Sequence, residues 1–430
     1  MAAFILASAM LKYILIVLYA LIPLANLNSA DAPSALFYAC LIVALAMLST
    51  QRFAGAGALS TRYQPLIISY SILLLAVTLS SLAYGHWAGT NGEGALRFFL
   101  GLWLLLLALP QIDRKLLQQS VWGVYVAGLV STVLVFKLTW PTFVRPDTPF
   151  HNAVTYGNFM LILSMISVFS INWPLTSWPR TERIFKLLTS AIIFGGFMLT
   201  QTRSGWVAMP LFILLGVILF SRSRHLGRLL ACTLIGLVVA AGVFASSDAL
   251  RDRTAMAYKE IAECRGEGST SLTSVCVRLQ LWRASIDMFK QHPWVGIGDG
   301  SRFPDVLKTE SYPKGLVSEF VITEYFGEPH NDLLFALAAF GLPGALGLLL
   351  IYLAPVWYFA RRLGPGRSPE ARAAAAMGIA FCLGFAIFGI TELMFRRMHT
   401  IGFYVMFVAL FMTLSDPEND CTTQNNKAIS

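Results

Sequence analysis

Three side chains in this 430-residue sequence are of the right kind to handle a phosphate ester and a hydroxyl together: Arg203, Arg278 and His330. A guanidinium binds phosphate oxygens through paired N–H donors and keeps its charge at every physiological pH. An imidazole exchanges a proton near neutrality, so it suits removal of a proton from an attacking hydroxyl. Each residue also has an ordinary explanation. An interfacial arginine snorkels or pairs with lipid phosphate, and a lone histidine is commonly a satisfied polar residue. Asn331 and Asp332, which follow His330, are both helix-capping types. The three residues carry information only if the chain gathers them at one place.

Composition says what kind of chain does the gathering. It is 56% hydrophobic and only 13% charged, with a mean hydropathy of +0.65. A soluble domain carries roughly 25% charged residues, so this chain lacks the polar surface for a globule of its size. Its apolar runs are long enough to cross a bilayer as helices, which takes roughly 20 residues, whereas a β-barrel would show short alternating segments. The reading is an all-α polytopic membrane protein with about twelve spans. They fall near 4–25, 34–50, 64–85, 94–110, 116–139, 154–171, 185–201, 204–221, 228–247, 331–359, 371–391 and 399–415. Residues 1–247 would form an N-terminal bundle, 248–330 one large loop, 331–415 three further spans, and 416–430 a polar tail. The first apolar run lacks a basic leader and a clear cleavage site, so we read it as a retained span.

Alternate short connections carry the basic residues: Arg52 and Arg62, Arg114 and Lys115, Arg180, Arg183 and Lys186, Arg222, Arg224 and Arg228, then Arg361, Arg362, Arg367 and Arg372. The opposite connections hold fewer: Lys137, Arg145, Arg203, Arg396 and Arg397. Basic loops stay on the side of synthesis. Both termini are therefore expected in the cytoplasm, and the large loop outside, in the periplasm. The excess charge of +9 fits cytoplasmic loops and anionic lipid headgroups rather than nucleic acid. On this topology Arg203, Arg278 and His330 share the external face, where they suit a lipid-linked diphosphate and a sugar transfer without help from a metal.

Within the loop, SVCVRLQLWRASIDMFKQHP predicts a helix whose apolar face is Leu279, Trp282, Ile286 and Phe289. Pro293 should end it and WVGIGDG form a Gly-rich turn, followed by RFPDVLKTESYPKG as a loop with proline breaks. The upstream stretch SDALRDRTAMAYKEIAE suits another helix, capped by Ser247 or Asp248. In an oxidising compartment Cys264 and Cys276 either pair, pinning the approach to Arg278, or remain two thiols. GIGDG has neither the preceding strand nor the following helix of a nucleotide loop. Glu328, His330 and Asp332 alternate, but this is no established metal-ligand motif. No metal and no cofactor are expected.

Four blocks then stand in order: TRSGW (202–206), RLQLWRAS (278–285), HPWVGIGDGSRF (292–303) and PHNDLLFALAAFGLPGALGLLL (329–350). In this order and topology they resemble the O-antigen ligase and O-antigen polymerase superfamily. The resemblance covers most of 195–352, while the earlier spans match in hydropathy only. It implies that His330 is the catalytic base, that Arg203 and Arg278 bind the diphosphate, and that Trp282, Gly296 and Gly298 are framework positions. It further implies a GT-C-like membrane glycosyltransferase that joins a glycan from undecaprenyl diphosphate to a hydroxyl of lipid A–core, inverting the anomeric centre. Asn331 adjoins the base. Arg145, Asp147, His151 and Asn152, from RPDTPFHNAVTYGN, would line a substrate path or serve as interfacial and capping residues. Arg396, Arg397 and His399 would contact acceptor phosphates or anchor the interface. A single dominant late loop ending in His-Asn favours a ligase over a polymerase or a pilin-directed relative. A lipid-linked oligosaccharide flippase would place its site near the midplane, often between repeated halves, and neither is read here.

Overall fold

The computed structural model describes residues 2–50, 56–85, 87, 89–148, 150–220, 273–324 and 326–416. Among these there is no strand. Nine helices are long and apolar enough to cross a membrane: α1 (Ala2–Asn28), α2 (Ala32–Thr50), α3 (Ala56–Tyr84), α4 (Gly89–Gln111), α5 (Arg114–Thr139), α6 (Ala153–Phe169), α10 (Asp332–Arg362), α11 (Pro369–Phe388) and α12 (Met398–Ser415). Two more, α7 (Pro179–Leu199) and α8 (Ser204–Phe220), complete the set seen between α6 and the loop. The chain is a multi-pass, all-helical membrane protein. The expected span at 228–247, the upstream loop helix, Cys264 and the polar tail lie outside the described residues.

The bundle closes around α6, α11 and α12, whose side chains are buried nearly throughout. Lipid-facing helices gain little from hydrophobic burial against one another, so small residues set their approach. A Cβ on Gly123 of α5 would lie 1.7 Å from the Ala20 carbonyl oxygen of α1. On α11, Ala373 to Ala376 are fully buried, which lets several neighbours close on that helix. The start of α7 precedes the expected 185–201 because its charges are absorbed locally. Lys186 Nζ lies 2.6 Å from Glu182 and donates to the carbonyls of Ser170 and Trp173 at 2.8 and 2.6 Å.

In the loop, α9 (Ser274–Gln291) begins at Thr273, whose hydroxyl accepts the Cys276 amide at 3.3 Å. Its buried face is not the expected one. Val277, Leu281, Ala284 and Met288 are buried, and Ile286 is exposed. Two apolar stripes run along this helix, and the buried one meets Ile297, Phe303, Val306, Leu307, Val317 and Val321. Part of the expected proline-broken loop is helical as well, because Pro304 stands in the first turn of Phe303–Val306, where a missing N–H costs nothing.

The loop is fastened to a membrane helix. Inside α10, Gly341 departs from helical geometry (φ 66, ψ −160), which frees neighbouring backbone groups. The turn after α9 fills the gap: the Ile297 and Gly298 amides donate to the Ala338 and Ala339 carbonyls at 2.9 and 3.2 Å. The Leu342 amide donates to the Pro293 carbonyl at 2.8 Å. Gly296 (φ 61) is required there twice over, since a Cβ would also lie 2.3 Å from the Ala339 carbonyl carbon. The amides of GIGDG that a phosphate loop would offer are thus partly spent on α10.

Candidate active site

His330 is the last residue before the cap of α10. Its backbone sits at φ 51, a region in which an ordinary side chain costs about 1–3 kcal/mol and needs the surroundings to hold it. Several contacts do so. Asn331 caps the helix, accepting the Leu334 amide at 2.9 Å, and its amide group donates to the Ile390 carbonyl at 3.0 Å. The Asp332 amide donates to the Gly389 carbonyl at 2.8 Å. From α9, the Trp282 indole N–H donates to the Pro329 carbonyl at 2.9 Å. Trp282 lies one turn after Arg278, so one helix both steadies the His330 backbone and carries the arginine.

Two carboxylates flank the imidazole. His330 Nδ1 is 3.5 Å from Glu328 Oε1 and 3.6 Å from Glu392 Oε1, and the Phe326 ring packs edge-on against it. Glu392, in the connection between α11 and α12, also accepts the Asn152 amide at 2.7 Å. The second use of Asn152 is to cap α6 through the Thr155 amide at 2.8 Å. Glu328 pairs instead with Arg396, at 3.0 Å. The two carboxyls differ as a result. Burial raises Glu328, and the positive charge of Arg396 offsets only part of that rise. Burial pushes Glu392 up too, but His330, Asn152 and Arg278 outweigh it and hold this carboxyl below the ordinary range.

The ligand atoms of Glu328, His330 and Glu392 lie within 4.8 Å of one another, a spacing that a metal ion could bridge. Arg396 already balances Glu328, and Arg278 acts on Glu392. This charge balance favours an imidazole between carboxylates over a cation.

Arg145, Arg203 and Arg278 come from three separate segments and meet near this pair. Partial burial and the charges of Arg278 and Arg203 lower the Arg145 guanidinium from its usual value, with Glu392 pulling the other way. Arg203 is delivered by the turn between α7 and α8, which Thr202 ties to the start of α6 through the Ala153 carbonyl at 2.8 Å. Among the described residues, none of these three guanidinium groups has a hydrogen-bond or ion-pair partner. Three cations gathered in this way raise the local positive potential.

A polar cavity of about 180 Å³ adjoins the pair, and Asn152, Glu328, Glu392, Arg396 and Arg397 are among its walls. His151 lines it as well, but is buried with its Nε2 2.7 Å from the Asn26 carbonyl, so its ring nitrogen serves the bundle. His399 is likewise buried, packed edge-on against His151. A second, mostly apolar cleft of about 310 Å³ shares Glu328, Leu393 and Arg396 with the first. Cys276 is buried and disulfide-bonded. Glu392 was not singled out from sequence, because a lone carboxylate beside a span end usually caps or is solvated. Its position in TELMFRR, on the same face as His330, was the available signal.

Residues 188–349 match the O-antigen ligase family model. That stretch contains Arg203, Arg278, Trp282, His330 and the whole docking turn. This match supports assigning residues 188–349 to that family. The matched domain supports a function of the O-antigen ligase or polymerase type and suggests a glycosyltransferase-type enzyme. The chain is also 22% identical over 285 residues to an uncharacterized protein of Haemophilus influenzae, a match that covers 64% of this chain and 66% of that relative.

Proposed function

We propose that the protein ligates a glycan, carried on undecaprenyl diphosphate, to a sugar hydroxyl of lipid A–core at the periplasmic face of the inner membrane. The observation that carries this reading is that Arg145, Arg203 and Arg278, without hydrogen-bond or ion-pair partners among the described residues, interact electrostatically near Glu392, the carboxylate that flanks His330. A diphosphate supplies the negative charge this cluster lacks, and fixed cations stabilise it further as it leaves. His330 Nε2 takes the proton of the acceptor hydroxyl, whose oxygen attacks the anomeric carbon. A carbon–oxygen bond forms there as the bond to the diphosphate breaks on the opposite side, with its electron pair retained by phosphate. Configuration inverts. The apolar cleft that joins the polar cavity at Arg396 suits an isoprenoid or acyl chain, so that both lipids remain in the bilayer while their headgroups react. Arg396 and Arg397 stand where acceptor phosphates would arrive.

The test is reconstitution of the purified protein with polyprenyl-diphosphate-linked glycan and lipid A–core. Glycan should appear on lipid A–core, and His330→Ala should lower that rate at least about 100-fold. Lengthening of lipid-linked glycan without an acceptor would identify a polymerase. Movement of donor across the bilayer without covalent transfer would identify a flippase. Undiminished transfer by His330→Ala would remove the base from this scheme.

A further inference from the structure

We propose that Glu392, held by Asn152, is the positioning residue that fixes the orientation and tautomer of His330. This rests on the proposed role of His330 as base. The imidazole must present a bare nitrogen to the hydroxyl, and which nitrogen carries the proton is set by the partner of the other. The Nδ1 atom is buried with no hydrogen-bond partner among the described residues, between Glu328 Oε1 at 3.5 Å and Glu392 Oε1 at 3.6 Å. An acceptor on that side places the proton on Nδ1 and leaves Nε2 bare. Separations of this kind commonly shorten to hydrogen bonds when substrate arrives.

The two acceptors are not equivalent. Glu328 is already engaged by Arg396 at 3.0 Å, and that arginine lines both cavities, where a ligand phosphate would draw it away. Glu392 has a neutral partner whose position the fold determines. Asn152 donates to Glu392 Oε1 at 2.7 Å while its own carbonyl oxygen caps α6 at 2.8 Å. The carboxylate that faces His330 is thereby anchored to the most buried part of the bundle. Base, carboxylate and anchor come from the start of α10, the α11–α12 connection and the start of α6, so the imidazole is fixed from three directions. Once the imidazole has taken the hydroxyl proton, the Glu392 carboxylate lies against the new positive charge.

The experiment measures glycan transfer against pH for the wild type, Glu392→Gln, Asn152→Ala and Glu328→Gln, together with binding of the lipid-linked donor. A carboxylate beside Nδ1 favours the protonated imidazole electrostatically. Glu392→Gln should therefore lower the rate by roughly 100-fold with donor binding retained, and move the acidic limb of the profile to lower pH. Asn152→Ala should lower the rate less, by about 10-fold, with a smaller movement of the limb in the same direction. A limb that stays in place in Glu392→Gln, or that moves only in Glu328→Gln, overturns the proposal. Absence of transfer by the wild type would instead overturn the ligase reading, so the two failures are distinct.

Discussion

The two ends of the helical bundle use arginine in opposite ways. At the end carrying Arg62, Arg362 and Arg372, the guanidinium groups are satisfied by the protein itself. Arg62 pairs with Asp416 at 2.7 Å, and Arg362 donates to the Met412 carbonyl at 2.8 Å and the Ser415 hydroxyl at 3.1 Å. Arg372 donates to the carbonyls of Leu363 and Ile218 at 3.1 and 3.0 Å. These side chains tie α3, α8, α10, α11 and α12 together. At the other end Arg145, Arg203 and Arg278 have no hydrogen-bond or ion-pair partner among the described residues, and the charges of Arg278 and Arg203, with partial burial, lower the affinity of Arg145 for its proton. The same residue type contributes stability where its donors are met and, on the proposed reading, a binding site where they are not. Gathered like charges are a cost that a bound anion would relieve.

This contrast predicts different outcomes for similar substitutions. The largest effect is expected at the open end: Arg278→Ala should lower glycan transfer roughly 100-fold with little change in melting temperature. Arg278→Lys should recover only a small part, because an ammonium lacks the paired donors. A strong loss of stability in Arg278→Ala would erase the distinction between the ends. Arg362→Met should do the reverse, destabilising the folded protein by about 1–3 kcal/mol because the buried Met412 carbonyl and Ser415 hydroxyl lose their donor, while Asp416 keeps Arg62. Denaturation in detergent measures this, and transfer per folded molecule should stay near that of the wild type.

The smallest effect concerns His151, which sits at the open end but serves the bundle. Burial holds its imidazole at about 4 rather than 6.5. The folded protein therefore refuses a proton that the unfolded chain accepts. Stability from this source is complete above about pH 6.5 and falls as the pH drops toward about 4. His151→Gln should flatten the acid dependence of the melting temperature over that window. An unchanged slope would show that His151 does not titrate with folding.

Much of the site was legible because chemistry and punctuation fell in short blocks. Arg203, Arg278 and His330 were readable from residue type plus topology, and Gly296 and Gly298 from their place after Pro293. Their reason was not readable, since the gap they fill belongs to α10 and appears only when Gly341 leaves helical geometry. Trp282 was legible as a framework residue, but its acceptor, the Pro329 carbonyl, is a tertiary contact. The buried face of α9 was misread because two stripes on one helix satisfy the same period, and only the partner surface selects between them. Glu392 escaped for a similar reason, and Asn152, read as a path-lining or capping residue, gave no sign of its tie to Glu392. They are 240 positions apart, and each alone has the composition of an ordinary helix end.

The docking of the 293–298 turn into the break of α10 limits how this protein can vary. Backbone groups left open inside a bilayer cost several kcal/mol each, so the interrupted helix is complete only with the loop in place. A chimera that exchanges the loop of one relative for that of another must carry the Gly341 break along with it, or supply a continuous helix and a turn that asks nothing of it. Loop and span are inherited as a pair, and their seam is not a place where this chain can be cut.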